Sequence, residues 1–76
     1  MSTWRKRMFI GLAHNAAWFD EDLRLTLVEL DRLVDSGHLA RLEREEFELE
    51  FSVDAPEDWR ELLTLEAREK IGRAHV

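Results

Sequence analysis

Cysteine is absent from this chain, and so is tyrosine. Without cysteine no disulfide and no thiolate metal site can form, a composition that fits a reducing compartment. Proline occurs once, and the three glycines, Gly11, Gly37 and Gly72, lie far apart. Glycines so spaced cannot build a GxGxxG turn or a P-loop, which excludes phosphate cradling of those kinds. No run of about 18 apolar residues exists, so no helix is expected to span a membrane. The opening MSTWRKRMFIGLA has a basic patch and a short apolar stretch, but His14 and Asn15 cut the stretch short. A secretory signal needs an unbroken apolar core, so the expectation is a cytoplasmic protein.

A basic excess is also missing. Residues 1–42 carry six basic and six acidic groups, whereas residues 43–69 carry eleven acids against three arginines. The whole chain has a net charge of −6. Such a chain repels nucleic acid, whose binders need a basic footprint, so direct nucleic-acid binding is not expected. The acidic half suits a protein partner with a basic surface.

Catalytic constellations are lacking as well. His14, His38 and His75 fall in three separate segments, with no HxH or HExxH pair to gather a metal. Ser2, Ser36 and Ser52 stand in no nucleophile-elbow pattern. The many carboxylates give accidental pairs, but acid/base work needs a carboxyl of shifted pKa in a pocket. The expectation is a non-enzymatic protein without cofactor or metal.

What is present suits one small folded domain. The chain has 76 residues, 45% of them hydrophobic and 37% charged. A domain of this size buries only about 60% of its unfolded surface, so a partner or a second copy would help it. From Phe47 to Val53 the sequence alternates strictly. Phe47, Leu49, Phe51 and Val53 share one side, and Glu46, Glu48, Glu50 and Ser52 the other. That period of two predicts a half-buried strand.

The remaining segments read as helices. Trp4, Met8, Gly11 and Leu12 predict a first helix over Thr3–His14, with Asn15 to Phe19 as the break and Trp18 and Phe19 in the core. Asp20 is a good N-cap for a second helix, which carries Leu23, Leu27, Leu30 and Val34 on one stripe and closes at Gly37. Leu25 and Val28 lie opposite that stripe. They need cover either from the first helix or from a second subunit, which makes them candidates for self-association. Leu39 to Leu42 reads as a short strand and Glu43 to Glu46 as its turn. The composition of 39–46 also permits a helical continuation, and the sequence leaves the two open. Asp54 and Glu57 have capping-box spacing around Pro56, and Trp59, Leu62, Leu63, Ala67 and Ile71 mark the apolar face of a last helix that stops at Gly72. The expected fold is a small two-layer α+β domain in the order helix, helix, β-hairpin, helix.

Over residues 20–53 the order helix, Gly turn, hairpin resembles the recognition helix and wing of winged-helix DNA-binding domains. That resemblance implies a transcription regulator, yet Asp20, Glu21, Asp22, Glu29, Asp31 and Asp35 would face phosphates, which repel them. In size and charge the chain also resembles small acidic phage inhibitors, some anti-CRISPR proteins among them. Alternate strand residues lie about 6.6 Å apart, so Glu46, Glu48 and Glu50, with Glu43 and Glu45 nearby, would form a regular row of charge. That row is the expected partner-binding surface, on a basic protein or complex that itself binds nucleic acid. An accessory subunit or a homodimeric structural protein is the other reading. Arg5, Lys6 and Arg7 beside Trp4 would give at most weak phosphate contact.

Overall fold

The computed structural model describes the backbone of residues 2–73 and the side chains as far as residue 69. Its first element is β1 (Trp4–Ala13), a strand. Met8 and Ile10 turn to the core, while Arg5, Arg7 and Phe9 turn away from it. The helix expected over Thr3–His14 is thus corrected to a strand. A spacing of four links Trp4, Met8 and Leu12 on a helix, but four is also a multiple of the strand period. The Trp, Phe and Ile of this segment favour a pleated surface.

Ala13 pairs with Ala16, which leaves a turn of His14 and Asn15 between them. Both have positive φ, 52° and 64°. Two such residues make a type I′ turn, whose twist matches that of a hairpin. The returning strand is β2 (Ala16–Phe19). Asp20, at φ 63°, then swings the chain towards β3 (Leu23–Thr26), where Leu23 and Leu25 are buried and Arg24 and Thr26 exposed.

The second expected helix is therefore shorter than its leucine stripe suggests. It begins only at α1 (Leu27–Asp35), and its N-cap is Thr26 rather than Asp20. Thr26 Oγ1 accepts a hydrogen bond from the Glu29 amide at 3.2 Å. The stop at Gly37 is where the sequence placed it, with φ 86°. Gly37 N donates to Val34 O and His38 N to Leu33 O, closing the helix with a left-handed residue.

β4 (Leu39–Arg41) and β5 (Glu46–Phe51) form a hairpin, which decides residues 39–46 in favour of strand and turn. Arg44 takes a positive φ of 50° in that turn. The last element is α2 (Trp59–Arg73), which runs one residue past Gly72. Its first turn is held by Asp58, whose Oδ1 accepts from the amides of Arg60 and Glu61 at 3.1 and 3.2 Å. Asp54, expected in that role, instead accepts the hydroxyl of Ser2. Leu63 and Ala67 are buried, with Trp59 and Leu62 packed against the core. The side chain of Ile71, and all of His75, lie outside the described residues.

The five strands form one antiparallel sheet in the order β3-β2-β1-β5-β4. The chain order is β-β-β-α-β-β-α, not helix-helix-hairpin-helix. The winged-helix likeness falls with that order, because its recognition helix is divided between β3 and α1. Helix α1 leaves the β3 edge and delivers the chain to β4 at the opposite edge. Leu30, Leu33, Leu63 and Ala67 of the helices meet Ile10, Phe19, Leu25, Leu49 and Phe51 of the sheet. Among the described residues no polar or charged residue is buried. The helices occupy one face of the sheet, and the other face is uncovered.

Candidate interaction face

Strand alternation decides what the uncovered face carries. From β1 it takes Arg5, Arg7, Phe9 and Gly11, from β5 Glu46, Glu48 and Glu50, and from β2 and β3 Trp18 and Arg24. The antiparallel register sets Arg5 opposite Glu50, Arg7 opposite Glu48 and Phe9 opposite Glu46. On the other side of β1, Gly11 faces Trp18, and Trp18 in turn faces Arg24.

The expected row of Glu46, Glu48 and Glu50 does lie on one face, but a basic row runs beside it. Arg5 Nε sits 2.9 Å from Glu50 Oε2 and 3.8 Å from Glu48 Oε1. Glu46 has no such partner among the described residues and lies across from Phe9. Negative charge is thus least compensated at the end of the row nearest the aromatic side chains.

Glu43 and Glu45 do not extend the row. Both belong to the β4–β5 turn, where the Glu45 carbonyl accepts the Ile10 amide at 2.9 Å. The Glu45 side chain lines a groove on the helix side, with Leu12, Leu27, Leu30 and Phe47. Leu25 and Val28 are not brought together either. Leu25 is fully buried in β3, and Val28 is exposed on α1.

Trp18 is the clearest residue that the sequence misplaced. Phe19 is buried as expected, but alternation sends Trp18 to the uncovered face, where it is 39% exposed. The Arg24 guanidinium lies 5.6 Å from its ring centroid. Phe9 is 68% exposed in the middle of a central strand. Between them Gly11 leaves open surface, since a Cβ built there would meet no atom within 4 Å. Exposed aromatic side chains flanking a vacant position on a rigid sheet make a surface into which an apolar side chain can seat.

The basic cluster is split by the same alternation. Lys6 points to the helix side, where its Nζ lies 4.6 Å from the centroid of the Trp59 ring. Trp4 packs beside Phe51 with ring centroids 6.4 Å apart. Of the histidines, His14 is in the β1–β2 turn. His38 stacks on Phe51 at 4.4 Å and approaches Glu66 with Nε2 at 3.4 Å. Those contacts join β4, β5 and α2 and explain His38 as a packing residue. Among the described residues no three His, Cys, Asp or Glu side chains are placed to hold a metal ion. No described helix is long and apolar enough to cross a membrane. Compared with known proteins, the chain matches no family model, no curated protein and no solved structure.

Proposed function

We propose that this chain is a non-enzymatic protein-binding module, and that its uncovered sheet face is the docking surface. The observation that carries the reading is the pair of exposed aromatic side chains, Phe9 and Trp18, on either side of the bare Gly11 position. Aromatic side chains are enriched among the residues that dominate the energetics of protein interfaces. Glu46, uncompensated beside Phe9, adds the charge preference. The partner is a protein that presents an apolar side chain to the bare Gly11 position and a basic side chain to Glu46.

This keeps the basic partner expected from composition but moves the centre of contact. A nucleic-acid mimic needs an uninterrupted acidic row, and the Arg5 pair with Glu50 interrupts it. Inhibition of a nucleic-acid-binding protein is therefore one use of the module, and service as an accessory subunit another. The transcription-regulator alternative rested on the winged-helix order and is left without support.

The test is capture by the tagged chain from a nuclease-treated lysate, compared with its Gly11→Val and Glu46→Gln variants. The expected result is a partner held by the wild type, lost with Gly11→Val and weakened with Glu46→Gln. Undiminished capture of the same partner by a folded Gly11→Val variant would overturn the reading.

A further inference from the structure

The central strand of the sheet is paired along only half of one side. β1 meets β5 from Trp4 to Phe9, but meets β2 only from Ile10 to Ala13. Beyond Phe19, where β2 ends, the strand has no described neighbour on that side. The hydrogen bonds show which groups are left there. Ile10 N donates to Glu45 O, towards β5, and in an antiparallel strand the direction alternates from residue to residue. Lys6 and Met8 therefore bond towards β5. Arg5, Arg7 and Phe9 direct their N–H and C=O groups to the open side. Six residues of strand, Trp4 to Phe9, present about 20 Å of free edge.

The surroundings of this edge have a definite chemistry. Along it runs a groove of about 280 Å³ lined by Lys6, Met8, Phe19, Asp20 and Trp59 together with Arg7 and Phe9. On the uncovered face it carries Arg5 and Arg7. Arg5 is engaged by Glu50, whereas Arg7 has no ion pair among the described residues. We infer that the free edge of β1 accepts an extended acidic peptide as an added antiparallel strand, with apolar side chains in the Trp59 groove and carboxylates beside Arg7 and Arg5. Strand addition supplies affinity through main-chain hydrogen bonds and specificity through alternate side chains. An alternating apolar and acidic sequence fits the two sides of this edge. The inference shares Phe9 with the docking face but needs neither Gly11 nor Trp18, which lie further along the sheet.

A second copy of this chain is a poorer occupant. Antiparallel pairing centred on Lys6 sets Arg5 against Arg7 twice, and pairing centred on Arg7 sets that arginine against itself. Like charges directly opposite each other destabilise a strand pair. Registers centred on Met8 or beyond run into β2 after two or three residues, and those centred on Trp4 or before leave Met8 and Phe9 unpaired.

The experiment uses the full chain labelled for amide hydrogen exchange and an eight-residue peptide of alternating glutamate and valine. Bound peptide should slow exchange at the Arg5 and Arg7 amides by about tenfold or more, leaving Trp18 and Arg24 unchanged. The protection should weaken with salt. It should vanish for a peptide N-methylated at alternate residues, and be absent with a lysine–valine peptide. Equal protection by the lysine–valine peptide, or none at millimolar glutamate–valine peptide, would overturn the inference. In the second case Arg5, Lys6 and Arg7 only guard an exposed edge against aggregation. Protection that rises with protein concentration alone would assign the edge to a second copy and likewise overturn it. Undiminished partner capture by Gly11→Val with peptide protection intact would overturn the docking face alone, and lost capture with no peptide protection would overturn the edge alone.

Discussion

Gly11 stands directly opposite Trp18 in the β1–β2 ladder and offers it no side chain to lie against. A glycine within a strand costs roughly 0.5–1 kcal/mol relative to alanine. Gly11 does not take the positive φ that would require glycine, and its Cβ position is open. Gly11→Val should therefore raise stability by about 0.5–1 kcal/mol, seen as a higher melting temperature by circular dichroism, while capture of the partner is lost. A variant that is both less stable and still able to bind would remove the special role given to this position.

The β1–β2 turn provides a test of the fold itself. His14 and Asn15 both hold left-handed backbone conformations, which cost a non-glycine residue of order 1 kcal/mol or more. Asn-Gly is the preferred pair for such a turn. The double change His14→Asn with Asn15→Gly should stabilise the protein by about 1 kcal/mol. A denaturant midpoint that falls on substitution would contradict the hairpin.

Thr26 ends β3 and caps α1 at once. Thr26→Ala should cost about 1 kcal/mol, or a fall of roughly 4–8 °C in melting temperature for a domain of this size. Thr26→Asp, which keeps an acceptor at the cap, should restore most of the loss. Asp20→Gly should not destabilise, because Asp20 holds a left-handed turn position and caps no helix. A loss at position 20 as large as that of Thr26→Ala would argue for the longer helix.

Arg5 and Glu50 are opposed on adjacent strands and remain largely exposed. A double-mutant cycle on Arg5→Ala and Glu50→Ala should give a coupling below about 1 kcal/mol. That coupling should shrink further in 1 M salt. A coupling of several kcal/mol that salt leaves unchanged would show the uncovered face to be dry, with some other body lying on it.

The elements differ in how plainly their sequences declare them. β5 was legible because Phe47, Leu49 and Phe51 alternate with glutamates, a pattern that only a strand satisfies. The stop at Gly37 was equally plain. β1 was not, because Trp4, Met8 and Leu12 fit both periods. The discriminating residue was Ile10, which falls on the even series with Met8 and outside the expected helical stripe. β3 was hidden because Leu23, Leu27 and Leu30 continue one leucine stripe across a strand-to-helix boundary. The signal for that boundary was Thr26 three residues before Glu29, the spacing of a capping box. As for the candidate face, Glu46, Glu48 and Glu50 could be read as one row, but Arg5 beside them could not. That neighbour depends on pairing between segments more than forty residues apart, which no local pattern encodes. Trp18 and its place opposite Gly11 were obscured differently, because both lie in a hairpin whose strands read as a helix and its break.

Among the described residues the core holds no buried polar side chain, so no donor and acceptor there must meet. Apolar side chains of similar volume replace one another with little loss. No polar contact in the described interior therefore distinguishes the correct strand alignment from one shifted by two residues. The alignment is dictated at the corners, by the left-handed residues His14, Asn15, Asp20, Gly37 and Arg44. Lengthening a corner by one residue should scramble this molecule more thoroughly than exchanging several of its leucines.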